Sequence, residues 1–513
     1  MKLVRGILAG GLATFALVEY FFWNMELAGV GKTIFFLLLL GSYYIAVGIP
    51  VGTTRNKIEH FTLLFAVLAL SVSYTLYDNK GLEVLNFLVN IFLMGLLFLQ
   101  GVLGDTVQWD SGIFQLERIA GYFVRPFVCI HLPWMELATV GKTGDHENRR
   151  KSLSTVLYVF LALVVGIPLL LILATLLFNA DPVFAGVFKP FFEALSQFRL
   201  DTIIGKSLIF IFLAPFVLSS IWSYRNKVFL FKNNAKTDNN NKVLPAAFAI
   251  TILVMVNTLY LLYAIVQFRY LFSAGSGILP GNITYAEYAR SGFFELAFIA
   301  FINIILMIFS VRFTARKGAP GIVIRVMSVL LMALSVVQLV SAFLRMNLYI
   351  QVYGLSMLRY FVTAFMILAA FYFLFVLLRE FFSRFPLFKS FVFAGALALV
   401  ALNYSVPDHQ IALYNTRMYL AGSINDYDVI YMENDLSASG HLVMLEYEDE
   451  ILEREPSFEA YFNGLKNPSI KDFGNEDPDQ RDPDPIQDYK TFVLCDAQFN
   501  EKILAEQAKD AGK

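Results

Sequence analysis

The sequence predicts an all-α protein, a polytopic transmembrane helix bundle of about eleven spans. Interfacial amphipathic helices and a small acidic C-terminal extracytoplasmic region complete this fold class. Three observations carry the prediction. Hydrophobic residues make up 57% of the 513-residue chain and charged residues only 16%, where a soluble domain has nearer a quarter. The first 404 residues break into apolar stretches of spanning length. Lysine and arginine cluster in every second connection, which sets an orientation as well as a class.

The stretches run over residues 5–23, 34–51, 60–77, 82–103, 152–178, 203–223, 244–269, 287–311, 321–344, 354–379 and 386–404. Each is long enough to cross about 30 Å of hydrocarbon at 1.5 Å per residue. With the N-terminus in the cytoplasm, connections on the inner side hold 22 Lys and Arg and those on the outer side hold 9. This bias sets the orientation, with the C-terminus extracytoplasmic. The charged N-terminal run before residue 23 resembles a signal peptide without a clear cleavage site, so it is expected to remain as the first helix.

The chain divides into a four-span region, 1–104, a cytoplasmic segment, 105–151, and a seven-span core, 152–404. An extracytoplasmic helical tail, 405–466, a Pro/Asp-rich linker, 467–491, and a C-terminal helix, 492–513, follow. Within 105–151, Ile113, Phe114, Leu116, Ile119, Phe123, Phe127 and Ile130 recur near helical spacing, with Gln115, Glu117, Arg118 and Arg125 between them. That pattern predicts an amphipathic helix lying in the interface. Residues 180–200 form a second such candidate on the outer side. Residues 405–513 carry 9 basic and 23 acidic residues, against 31 and 18 in the remainder. A basic membrane body thus carries an acidic appendix.

Several familiar chemistries are disfavoured. Cys129 and Cys495 are the only cysteines, on opposite sides of the predicted membrane, so neither a disulfide framework nor a cysteine metal site is expected. The five histidines show no ligand spacing, and no cofactor or metal is called for. Met25–Thr33 and Met135–Thr143 repeat as MELAGVGKT and MELATVGKT. A phosphate-binding loop needs a Gly where these have Glu26 and Glu136, so the Gly-Lys pairs are expected to end interfacial helices. Asp477, Asp479, Asp482 and Asp484 lack the turn glycine and the bidentate glutamate of a calcium loop, and read as solvated linker.

The strongest polar set lies around the eighth to tenth spans: Glu287, Arg290, Glu295, Arg345, Tyr349 and Arg359. Glu295 stands eight residues inward of Glu287, about 12 Å by helical rise. A carboxylate at that depth must find a partner or take a proton. Two roles follow for Glu295, Arg345 and Arg359: an outward polar cavity for an anionic or proton-coupled ligand, or a structural ion-pair network locking three helices. Asp181, followed by Pro182, fits a helix N-cap.

Four blocks carry a resemblance: FNADPVFA (178–185), TYAEYARSGFFEL (284–296), RMNLYIQVYGLSMLRYF (345–361) and VPDHQIALYNTRMYL (406–420). Over residues 150–435 the chain resembles the uncharacterised bacterial multi-pass membrane family described as domain of unknown function 4173, with its relative 4153. The resemblance implies a bacterial inner-membrane protein without an assigned activity. It marks Asp181, Glu287, Arg290, Glu295, Arg345, Tyr349, Tyr353, Gly354 and Arg359 as family-like positions and supplies no catalytic residue. The favoured function is a non-enzymatic envelope component, transporter-like or sensory, that uses the outward Glu/Arg cluster. The alternative is a membrane-embedded transferase acting on lipid-linked or cell-envelope substrates. The expected partners are the lipid bilayer and an envelope or signalling protein, with no nucleic acid.

Overall fold

The computed structural model describes residues 2–22, 29–48, 54–77, 81–103, 124–133, 200–226, 245–274, 293–314, 318–382, 384–424, 427–466 and 494–511. Among these residues all regular structure is helical, and nine helices are long and apolar enough to cross a membrane. The chain is an integral membrane protein of the polytopic helical class. The predicted fifth span, the outer amphipathic candidate with Asp181, and most of the 105–151 segment lie outside the described residues.

The first bundle comprises α1 (Lys2–Ala16, continued by a π-helical turn, Leu17–Phe22), α2 (Gly29–Val47), α3 (Thr54–Leu76) and α4 (Glu83–Leu103). The short α5 (Arg125–Val128) and the long α6 (Leu200–Arg225) pack beside it. The second bundle comprises α7 (Ala246–Ala274), α8 (Phe293–Phe313), α9 (Gly318–Tyr353) and α10 (Met357–Phe381). Helix α8 occupies the place of the predicted eighth span. Helix α11 (Leu387–Tyr404) touches α10 but packs also on α3 and α4, and adds Ala396, Leu399 and Val400 to the first core.

Apolar packing drives little association inside lipid, so polar contacts and close fit hold such helices together. Here the Asn86 and Asn403 side chains exchange hydrogen bonds of 2.7 and 2.9 Å across 317 residues of sequence, tying α4 to α11. Asn90 donates to Ser71 on α3 at 2.9 Å. In the second bundle Tyr260 of α7 donates to Asn303 of α8 at 2.7 Å, and Asn303 donates to Ser335 of α9 at 2.8 Å.

After α11 the chain turns sharply at Val406, a non-glycine residue with positive φ (49°). There follow α12 (Pro407–Leu420), α13 (Val429–Asp435), α14 (Ala438–Glu446), α15 (Glu448–Arg454), a 3-10 turn (Pro456–Phe458) and α16 (Glu459–Lys466). Helix α17 (Leu494–Ala511) returns to pack on α14 and reaches α3. Together they form a cap with its own core of Ile411, Tyr419, Met432, Met444, Ile451 and Phe462. Leu355, Met357 and Tyr360, at the junction of α9 and α10, pack against that core. The cap therefore sits on the end of the bundle where α9 finishes and α10 begins.

Two expectations are corrected. Gly31 and Lys32 open α2 rather than ending a helix, and Lys32 is buried, its ammonium donating to the Tyr20 carbonyl at 3.0 Å. The second repeat copy lies outside the described residues. In α5 the expected polarity is reversed. Arg125 is 1% exposed while Phe127 and Val128 face outward. Its guanidinium donates to Ser223 at 2.9 Å and stands 4.5 Å over the Tyr224 ring, both on the last turn of α6. A guanidinium met by a hydroxyl and an aromatic face is better served inside than at a lipid interface.

Candidate functional site

Helix α9 has 36 residues, a length of about 54 Å at 1.5 Å per residue, so it overshoots a hydrocarbon layer of about 30 Å. Its last turns carry Arg345, Tyr349 and Tyr353 at i, i+4 and i+8, which stacks them along one side. The helix stops at Gly354, whose φ is +74°, the left-handed conformation common just past a helix end.

Arg359, in the first turn of α10, reaches back over that stop. Its Nη1 donates to the Tyr353 and Gly354 carbonyls at 2.9 and 2.6 Å. Its guanidinium lies 4.2 Å from the Tyr349 ring centre and 5.9 Å from that of Tyr353. The two tyrosines meet edge to face at 5.0 Å. A cation at a helix C-terminus satisfies the last carbonyls and opposes the negative end of the dipole. Arg359 therefore closes the α9–α10 turn.

The cap grips the same turn from above. The Leu355 N–H donates to Asn415 Oδ1 at 2.6 Å, and Asn415 Nδ2 donates to the Leu355 carbonyl at 2.8 Å. The Met357 N–H donates to the Tyr431 hydroxyl at 2.8 Å, and the Tyr360 hydroxyl meets Ser405 Oγ at 2.8 Å. Burial pushes the Tyr431 phenol above its ordinary range, with Asp408 and Asp435 adding to the rise, while the Met357 N–H and Arg359 oppose it. Tyr431 is thus a neutral acceptor wherever the cap is folded at ordinary pH. Asp408, at the start of α12, is buried and accepts from the Ser437 N–H and hydroxyl, which braces α12 against α14.

Of the family-like positions, Tyr349, Tyr353, Gly354 and Arg359 form one structure, the clasped turn. Arg345 is buried one turn below, 8% exposed. Glu295 lies in the first turn of α8, its side chain outside the described residues; Glu287, Arg290 and Asp181 lie wholly outside them.

Sequence reasoning missed two other polar groups. At the cap end of the first bundle, Lys206 of α6 pairs with Glu19 at 2.7 Å within the π-helical turn, beside Lys32. The only signal was a glutamate inside an apolar run. At the opposite end, Glu59 of α3 pairs with Lys389 of α11 and accepts from Gln100 of α4 at 3.4 Å. Next to it His60 meets the Tyr44 hydroxyl at 2.8 Å. Among the described residues no three His, Cys, Asp or Glu side chains converge in a way that would hold a metal ion.

Residues 64–447 match the family described as Domain of unknown function (DUF4153). The chain belongs to the DUF4153 family. The match is to the relative named above. It begins at Leu64 within α3, well before the resembling blocks, and ends at Tyr447 between α14 and α15. The clasped turn and the cap helices that grip it all fall inside it. Comparison with curated proteins and with solved structures gives no match for this DUF4153 chain.

Proposed function

We propose that this DUF4153 protein is a non-enzymatic component of the bacterial inner membrane, of a sensory or transporter-like kind. In this reading the N-terminus is cytoplasmic and the cap extracytoplasmic, and the cap relays its state to α8, α9 and α10. The observation that carries the reading is the two-bond grip of Asn415 on Leu355, over a turn already closed by Arg359. A rigid joint between an aqueous domain and two spans passes displacement of one to the other.

The positions of charge support the orientation. Arg125, Arg225, Arg379 and Lys389 gather at the end away from the cap, which is the arginine- and lysine-rich side by sequence. Helix rise supports a role for Glu295 beside the joint. Taking the Asn303–Ser335 bond as a level, Glu295 stands eight residues capward on α8, about 12 Å, and Arg345 ten residues on α9, about 15 Å. The two backbones come to similar height on packed helices.

The test replaces Glu295 by Gln and Arg345 by Gln separately in a strain lacking the gene, under envelope stress. Loss of complementation with unchanged insertion and melting supports the cluster. Full complementation by both variants sinks it. A reporter fused after Lys513 gives an extracytoplasmic signal in this orientation, and a cytoplasmic one overturns it.

A further inference from the structure

The second bundle carries a line of polar side chains through its interior, and the clasped turn does not account for it. On α9, Ser328, Ser335, Gln338 and Arg345 share one face, and all are buried. From Ser328 to Arg345 the line covers 17 residues, about 25 Å by helical rise, most of the thickness of a hydrocarbon layer. Facing it are Asn257 and Tyr260 of α7 and Asn303 of α8, also buried. Tyr260, Asn303 and Ser335 satisfy one another at mid-depth. Asn257 donates to the Met327 carbonyl at 3.0 Å, which fixes which end of its amide is nitrogen.

Above and below that satisfied layer the line is not closed. Asn257 Oδ1, Ser328 Oγ and Gln338 Oε1 are buried without a hydrogen-bond partner among the described residues, and these side chains are 4%, 0% and 3% exposed. An amide carbonyl in the interior of a membrane protein finds a donor, because lipid offers none. The two amides are acceptors in need of donors, and they share the seam with hydroxyls that both donate and accept. Water meets that demand: it bonds two to four polar groups at once and settles in polar interior sites.

We propose that the α7–α8–α9 seam is hydrated, holding internal water on both sides of the Tyr260–Asn303–Ser335 layer, from the level of Arg345 down to that of Ser328. The layer is then a polar constriction in a wet path through the second bundle. This goes beyond the relay reading and stands or falls independently of it.

Hydroxyl-radical footprinting tests it, since radicals made from water oxidise methionine where water touches it. Met327 carries its Sδ 4.0 Å from Asn257 Nδ2, and Met332 is buried one turn from both Ser328 and Ser335. Met366, buried against α9 among apolar side chains, is the dry reference. The full chain is labelled in phosphatidylethanolamine–phosphatidylglycerol vesicles. The proposal expects Met327 and Met332 to oxidise several-fold faster than Met366. Equal rates in the unaltered protein overturn it. Asn257→Leu should bring Met327 down to the rate of Met366, with Met366 unchanged as the measure of intact folding. Gln338→Leu repeats the comparison should Asn257→Leu fail to insert, and undiminished oxidation in a folded double variant also overturns the proposal.

Discussion

Adding one methyl group at Gly354 should open the joint between cap and bundle. A Cβ there would lie 2.6 Å from Asn415 Oδ1 and 3.2 Å from its Cγ, closer than atoms tolerate, so the amide must swing away. Both bonds between Asn415 and Leu355 are then lost, at about 0.5–1.5 kcal/mol each. The left-handed backbone at φ +74° adds about 1–2 kcal/mol for any residue with a Cβ. Gly354→Ala therefore costs about 2–5 kcal/mol, concentrated at this turn. Gly48→Ala is the control: its φ is +83° and nothing stands within 4 Å of its Cβ, so it bears the backbone cost alone. The assay is amide hydrogen exchange in lipid nanodiscs, read at Leu355 and Met357, whose N–H groups bond to Asn415 and Tyr431. Local opening should rise by roughly 30-fold to a few thousand-fold in Gly354→Ala, since about 1.4 kcal/mol is tenfold. Unchanged exchange at both amides would refute the assignment of this turn as the joint. So would a loss of stability no greater than that of Gly48→Ala.

Two further outcomes follow from the structure. Asn86→Leu strands the Asn403 amide that had bonded to it, and should lower stability by about 1–3 kcal/mol. Asn86→Leu with Asn403→Leu should recover part of that loss in detergent melts, and a double variant as unstable as the summed single ones would argue against the pair. Burial pushes the Tyr427 phenol up to about 12, with the nearby Tyr419 adding to the rise and the Thr416 hydrogen bond opposing it. Tyr431 moves in the same direction. Above the ordinary value near 10 the unfolded cap has shed these protons and the folded cap still holds them, so folding stability falls as pH rises. Circular dichroism of the cap helices should hold steady below about pH 10 and decline progressively toward about pH 12. Loss of the cap signal between pH 8 and 9 would contradict this.

The spans were legible because lipid imposes a single requirement, length without charge, and the sequence states it locally. The i, i+4 spacing of Arg345 and Tyr349 was legible for the same reason, being set within one helix. Lys32 and Arg125 were misplaced because a lone charge in apolar sequence is ordinarily assigned to the interface. Both are instead buried against partners, the Tyr20 carbonyl and the Ser223–Tyr224 pair. The role of Arg359 depends on the backbone of Gly354, and that of Asn415 on a turn sixty residues earlier. Neither relation has a local trace. The polar seam was invisible for a further reason. Single Asn, Ser and Gln residues scattered through three spans mean little until packing sets them on one line.

The asparagine pair joining α4 to α11 also bears on how the protein is made. Asn86 enters the membrane early, and its amide partner is synthesised 317 residues later. At about 5–20 residues per second, roughly 15–60 s of translation separate them. For that interval the first bundle lacks the helix that completes its core through Ala396, Leu399 and Val400. Its earliest spans must wait in the bilayer as an unfinished intermediate until α11 arrives. A ribosome that stops before Tyr404 thus leaves the N-terminal helices without their closing partner, an exposed amide that membrane proteases and insertion chaperones are equipped to notice.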